Sequence, residues 1–206
     1  MLRTLYAGAT TLAAPALRLM LRRRVARGKE VAARLGEREG IDATPRPPGR
    51  LLWLHAASVG ESVSMLPVLA ALPDDLHVLM TTGTVTSANL LARRLPEMGL
   101  AQRVTHRFVP LDVPRWAGRF LDHWRPDAAA FVESEIWPNL LAACRARAIP
   151  TMLVNARISA RSFANWRRVP GLARDLFGGF ALVQAQSAAV AERVRALGAR
   201  PPDRKS

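Results

Sequence analysis

Thiol chemistry is nearly missing from this chain: Cys144 is the single cysteine among 206 residues. No intrachain disulfide framework is possible, which fits a reducing compartment. Metal chemistry has little to work with either. The four histidines, His55, His77, His106 and His123, and Cys144 stand at none of the spacings that build a metal site. Aromatic residues make up 6% of the chain and do not interleave with the basic ones, as a single-strand nucleic-acid binder requires. There is no G-x-G-x-x-G turn and no P-loop. No D-x-D occurs, so a metal-clamped diphosphate donor is not suggested. Gly60-Glu61-Ser62-Val63 runs on into Ser64, which breaks the G-x-S-x-G pattern of a nucleophile elbow. Internal repeats and low-complexity tracts are lacking. Acid is scarce as well: 16 Asp+Glu stand against 30 Lys+Arg, a net charge of +14.

What is present starts with that charge and with apolar bulk. Half of the chain is hydrophobic, enough for one well-packed domain with an appendage. The positive field favours anionic partners such as acidic lipid or phosphorylated molecules. It is densest at the start, where Arg3, Arg18, Arg22, Arg23, Arg24, Arg27 and Lys29 meet only Glu30. Within Met1 to Leu21, the residues Leu2, Leu5, Tyr6, Ala9, Leu12, Ala13, Ala16, Leu17 and Met20 fall on one helical stripe. The uncharged window between Arg3 and Arg18 is shorter than the ~18 apolar residues of a confident spanning helix, and Pro15 weakens it further. A cleaved signal peptide would carry its charge before the apolar part. A spanning anchor would leave the basic side, and the rest of the chain, in the cytoplasm. An interfacial helix would lie flat with its arginines on acidic headgroups. An ordinary amphipathic helix packed on the domain is the plain alternative. The arrangement favours membrane association from the cytoplasmic side. Residues 1–41 are therefore expected to form a membrane-associated helical segment.

Residues 42–50, "DATPRPPGR", are Pro-rich and polar and read as a linker to a domain over 51–199. There the pattern alternates. Strand-like runs occupy 51–56, 76–81, 105–109, 127–132, 151–155 and 180–184. Helical faces lie between them: Val85, Ala88, Leu91, Ala92 and Leu95 over 84–95; Trp116, Phe120, Leu121 and Trp124 over 113–124; Leu140, Leu141 and Cys144 over 137–148; Val190, Val194 and Leu197 over 187–197. Short apolar strands alternating with helices predict an α/β fold, a Rossmann-like parallel sheet with helices on both faces.

Ligands of open α/β sheets bind beyond the carboxyl ends of the strands. The unusual polar residues of this chain gather at that edge. Ser58 to Glu61 follow the first strand and Thr81 to Thr84 the second. Pro110 to Asp112 follow the third, Glu133 to Trp137 the fourth, and Asn155 to Ser159 the fifth. Glu61 sits at a helix start, where a carboxylate is stabilised as the anion and could serve as a base. Such residues also serve simply as caps. Pro67 implies that the helix over 61–72 starts late or kinks. Glu133 and Glu135 point opposite ways if extended, so one can cap while the other faces the cleft. Arg157 and Arg161, four apart, suit phosphate or carboxylate, though such pairs are commonly solvated faces. His55 reads as a core histidine with a satisfied ring.

Taken in order, "WLHAASVGE", "TTGTVTSA", "PLDVP", "ESEIWPNLL", "NARISARS" and "QSAAVAERVRALGA" resemble the N-terminal half of the Kdo transferases, the 3-deoxy-D-manno-octulosonic acid (Kdo) transferases of Gram-negative lipopolysaccharide assembly. The resemblance covers about residues 1–199. It implies the N-terminal domain of a two-domain GT-B glycosyltransferase on the cytoplasmic face of the inner membrane. That domain would receive a lipid A precursor, while a C-terminal domain would hold CMP-Kdo. The glutamate of "SVGE", here Glu61, would be the catalytic base toward a glucosamine 6-hydroxyl. Glu133, Glu135 and Arg157 match motif positions and are assigned to the cleft; Ser58, Gly60 and Thr82, in the same motifs, join them as substrate-binding candidates. The scheme needs no cofactor, no metal and no nucleic acid.

After "ALGA" comes "RPPDRKS", where members of the family continue into a second domain. Residues 200–206 are read as a tail and the donor-binding domain as absent. A cleft enzyme with one wall missing cannot hold both substrates in reacting geometry. The alternative is a non-catalytic membrane-surface module that binds an acidic glycolipid.

Overall fold

Short runs of alternating apolar residues make the six strands: β1 (Leu51–His55), β2 (His77–Thr82), β3 (Val104–Phe108), β4 (Ala128–Val132), β5 (Thr151–Ala156) and β6 (Leu182–Ala185). They form one sheet in the order β3-β2-β1-β4-β5-β6, with every pair parallel. The structure, a computed structural model, describes residues 2–199; the reading of 200–206 as a tail lies outside them. The helices are α1 (Leu2–Ala26), α2 (Leu35–Arg38), α3 (Val59–Ala71), α4 (Val85–Glu97), α5 (Pro114–Trp124), α6 (Pro138–Ala146), α7 (Ala160–Arg167), α8 (Pro170–Phe177) and α9 (Ala188–Ala196).

Neighbouring residues of a strand face opposite sides of the sheet, and β1 shows the result. Leu54 enters a core with Val78, Met80, Met65 and Leu69 of α3, and Leu91 and Leu95 of α4. Trp53 enters the other core, with Phe131, Leu153, Phe120 of α5, Leu140 and Cys144 of α6, Phe177 of α8 and Val194 of α9. This is the Rossmann-like sheet covered on both faces that the alternation predicts. Strand order reverses between β1 and β4, so the chain leaves these two neighbours toward opposite faces. The crevice outside their carboxyl ends is where such sheets bind ligands.

Three local features differ from expectation. Helix α3 begins at Val59 and continues through Pro67, rather than starting late, because Ser58 caps it and Pro67 stands on its exposed side. Helices α7 and α8 lie where no helix is expected, although α8 buries Ala173, Leu176 and Phe177 on one face. None of the residues of α7 is buried, so it has no complete apolar stripe to read. Helix α1 runs on to Ala26, beyond the expected stripe, and that stripe lies mostly on the side away from the domain. Its buried contact is Leu21, and Thr10 accepts a hydrogen bond from Asn139 Nδ2 at 3.0 Å. Leu2, Leu5, Leu12, Leu19 and Met20 point outward, Leu12 with 84% of its surface exposed.

The chain between α1 and β1 is tied firmly to the sheet. Arg38, 2% exposed, holds the buried Glu30 carboxylate through two bonds of 3.1 Å. The same guanidinium donates to the Gly83 carbonyl at 2.7 Å and to the Val109 carbonyl at 3.1 Å, just beyond β2 and β3. Glu37 accepts the Phe108 N–H at 2.6 Å and so covers an open edge of β3. Gly40, at φ 70°, lies so close to the backbone of Trp116 that any side chain would collide. Removing Arg38 would leave Glu30 only Arg24 Nε, at 3.1 Å, and would unpair the two carbonyls. Arg38→Ala is expected to cost about 3 kcal/mol or more in urea unfolding, and replacing Arg38 and Glu30 together by Met should recover part of that loss. Equal losses for the single and double replacements would show that the pair is not the cause.

Candidate active site

The exits of β1 and β4 carry the site. Ser58, extended at φ −107° and ψ 169°, caps α3 and accepts the Glu61 N–H at 3.3 Å. Its hydroxyl donates to Glu61 Oε1 at 2.7 Å, and the Ala57 N–H donates to Oε2 at 2.8 Å. This is a variant of the capping box, in which the glutamate takes the N–H of the residue before the cap rather than that of the cap itself. Glu61 is 9% exposed, so the cap fixes a nearly enclosed carboxylate. Each oxygen keeps a second lone pair. Gly60 is exposed, and a side chain there would meet open space, so its smallness leaves room above the turn.

Two left-handed residues mark the next exits. Glu133 has φ 58° and Asn155 φ 51°, a conformation that non-glycine residues hold only where surroundings impose it. The Glu133 N–H bonds to the Val154 carbonyl at 2.9 Å, and its own carbonyl accepts the Arg157 N–H at 3.3 Å. Ser134 Oγ donates to the Arg157 carbonyl at 2.5 Å. Backbone bonds thus bring Glu133 and Arg157 together. The Arg157 guanidinium is exposed and bonds to no protein group among the described residues.

Glu135 turns inward from the same loop. Its Oε2 accepts from Trp137 Nε1 at 2.7 Å and lies 3.3 Å from His55 Nε2. Burial alone would raise its pKa, but His55 and then the Trp137 N–H outweigh it and leave the group below the usual glutamate range. His55 is fully buried, with Nδ1 3.0 Å from Thr81 Oγ1.

Thr82 is not brought to this edge. It is fully buried, and its hydroxyl lies 2.9 Å from His106 Nε2. Arg34 can only donate to His106 Nδ1, at 3.2 Å, so Nε2 carries the proton toward Thr82. Burial and then the charges of Arg34, Arg107 and Arg38 push the His106 pKa down to about 3.

Sequence reasoning passed over Asp112 as a structural group. Its carboxylate accepts the N–H groups of Asn139 at 3.1 Å and Leu140 at 2.8 Å, capping α6 from a different loop. Burial raises its pKa, only partly offset by those bonds and by Tyr6. Tyr6 on α1 is pushed up to about 12 by burial and by the Asp112 charge. A cap supplied from another loop leaves no local spacing to read. Among the described residues, no group of three or more His, Cys, Asp or Glu is placed to hold a metal ion.

Residues 29–205 match the family model described as 3-deoxy-D-manno-octulosonic-acid transferase (kdotransferase). The chain belongs to the Kdo transferase family. It is 42% identical over 165 residues to a probable mitochondrial 3-deoxy-D-manno-octulosonic acid transferase of Arabidopsis thaliana, a match over 79% of this chain and 36% of that protein. It is 35% identical over 151 residues to the 3-deoxy-D-manno-octulosonic acid transferase of Rickettsia typhi, covering 72% of this chain and 31% of the relative. The same-named protein of Rickettsia bellii is 33% identical over 174 residues, 83% of this chain and 40% of its own. The chain thus spans about a third of the length of the Kdo transferases it matches.

The capping box has a thermodynamic signature. Ser58→Ala and Glu61→Gln are each expected to lower stability by about 1 kcal/mol in urea unfolding. Because the two residues share one box, the double variant should lose less than the sum. Strict additivity would show that the bonds are not mutually dependent.

Proposed function

We propose that this chain is the acceptor-binding part of a Kdo glycosyltransferase of lipopolysaccharide assembly, with Glu61 as general base. The observation that carries this reading is the Glu61 carboxylate fixed at the β1 exit, beside the sheet's switch point, in a chain of the Kdo transferase family. The acceptor is a lipid A precursor and the donor is CMP-Kdo. Glu61 takes the proton of a glucosamine 6-hydroxyl. The freed oxygen bonds to the anomeric carbon of Kdo as the bond to CMP breaks, with inversion. Glu61 then releases its proton to solvent. The Ala57 N–H and Ser58 hydroxyl hold and aim the base. Arg157, exposed and without a protein partner among the described residues, meets acceptor phosphate, and Glu133 faces the same cleft. CMP-Kdo is held chiefly by the part of the family's length that this chain does not span.

The same reading places the protein on the cytoplasmic face of the inner membrane. Helix α1 supports it: five large apolar side chains point outward, followed by Arg22, Arg23 and Arg27. Among the described residues no helix is long and apolar enough to cross a membrane, which favours an interfacial seat. Thr10 lies against Asn139 at the start of α6, and Arg18 stacks 5.5 Å from the Trp116 ring in the first turn of α5. Lipid under α1 would therefore lie beside the carboxyl rim of the sheet. The fraction of family length spanned keeps the second reading in play, a non-catalytic glycolipid-binding module.

Two measurements test these readings. In a protein completed with the remaining length of a relative, Glu61→Gln should cut Kdo transfer about 10²–10⁴-fold while acceptor binding persists; undiminished turnover would end the base assignment. Binding that survives in every completed protein, with no transfer from any, would favour the module. Leu5→Asp/Leu12→Asp, both on the exposed face, should abolish flotation with acidic vesicles without lowering stability. Unchanged flotation would remove α1 from the membrane contact. Binding through the arginines should also weaken as salt is raised, because charge is screened over about 8 Å at physiological ionic strength.

A further inference from the structure

The two carboxylates of the switch point are built unequally. Glu61 engages both oxygens in its own turn. Glu135 engages only Oε2, which takes the hydrogens of His55 Nε2 and Trp137 Nε1. Its Oε1 has no protein partner among the described residues, nor is it among the buried polar atoms that lack one, so it meets solvent. The side chain is 20% exposed.

Behind Oε2 lies a set of buried polar contacts. Trp53 Nε1 donates to Thr81 Oγ1 at 2.8 Å. His55 Nδ1 lies 3.0 Å from the Thr81 hydroxyl and 3.1 Å from the Thr81 carbonyl, and Nε2 faces the Glu135 carboxylate, which only accepts and so draws a proton on that nitrogen. His55 and Thr81 are fully buried, as is Trp53. Packing does not require such a set, since apolar groups of similar shape would fill the same space at little or no cost. What these contacts achieve is orientation: Thr81 fixes one side of the ring, and its other side meets one oxygen of a carboxylate whose second oxygen has no protein partner among the described residues. Alongside burial, only His55 on β1 and Trp137 in the same loop bear on its titration.

We propose that Glu135 is a second ligand-contacting carboxylate of this site, its Oε1 accepting a sugar hydroxyl of the acceptor glycolipid, and that His55 is the positioning residue that aims it. The hydroxyl contact rests on the acceptor reading above; the aiming by His55 does not. The two carboxylates are anchored two residues apart on one strand exit, Glu135 through His55 and Glu61 through Ala57.

The aiming is tested first, without any ligand. Carboxyl ¹³C resonances of the labelled 206-residue chain report the protonation of Glu135 as pH is lowered. The wild-type midpoint is expected below the ordinary glutamate range. His55→Leu should raise it, and His55→Gln, which retains a donor, should restore part of the shift. A purely space-filling His55 would leave the midpoint unmoved by His55→Leu, and that result overturns the positioning role. If His55→Leu does not fold, Trp137→Phe, at a half-buried side chain, removes the other donor and must also raise the midpoint.

The contact is tested by calorimetry with a lipid A precursor in detergent micelles. In Glu135→Gln the two donors still demand an acceptor at the Oε2 position, so the amide oxygen goes inward and the NH₂ outward. The outward atom changes from acceptor to donor, and affinity should fall about tenfold or more. Tight wild-type binding that Glu135→Gln leaves intact overturns the hydroxyl contact and spares the acceptor reading. Failure of the wild type to bind overturns the acceptor reading and, with it, the contact.

Discussion

The hydrogen bond from the Gly83 N–H to the Ala57 carbonyl, 2.9 Å long, joins the two exits on which the site depends. On one side of it, the Gly83 carbonyl is held by Arg38, whose charge is balanced by the buried Glu30. On the other side, the Ala57 N–H holds Glu61 Oε2. A continuous set of backbone and charged bonds thus runs from the segment after α1 to the candidate base. One residue earlier, the Ala56 N–H bonds to the Thr81 carbonyl at 3.0 Å, and Thr81 in turn meets His55. The strand exit is therefore fixed by β2 at two successive residues. A base needs this kind of support, since a displacement of about 1 Å can cost a large factor in rate.

Among the described residues, neither carboxylate of this exit is in contact with a lysine or arginine. Glu61 takes its hydrogens from a backbone amide and a serine, at a helix N-terminus where an anion is favoured. Glu135 takes its own from a histidine and an indole. Arginine is left free to face outward, as Arg157 does. An ion pair at Glu61 would have placed a cation beside its carboxylate; an amide and a hydroxyl leave that side unoccupied by a side-chain charge.

The strands, their parallel pairing and the layers were legible from the residues because most strands are short apolar runs with a helix stripe behind them. The candidate edge was legible too, since Ser58, Glu61, Glu133 and Arg157 all follow strands. The rest was hidden for physical reasons. Thr82 belongs to a polar motif, yet it is the last residue of β2, and pleat alternation sends its side chain to the interior beside His106. His55 reads correctly as a core residue, but its contact with Glu135 spans two strands and has no signature in local spacing. Asp112 caps a helix it does not precede. Helix α7 has no buried residue, so periodicity has nothing to report.

Helix α1 shows why an apolar stripe alone cannot say which side is inside. Its docked face is mostly small or polar, with Thr10, Ala14 and Leu21 toward the domain, while Leu2, Leu5, Leu12 and Leu19 face out. A helix that needed only to dock would place its leucines inward, because burying each stabilises by about 2 kcal/mol relative to leaving it in water. The domain instead holds α1 by side-chain contacts: Thr10 with Asn139, Arg18 with Glu39 at 2.6 Å, and Tyr6 with Asp112. Asn139 and Asp112 also set the start of α6, which follows the loop bearing Glu135. The outward leucines and the glutamate loop are thus attached to the same two polar residues, so a surface that takes up the leucines is held in register with the site.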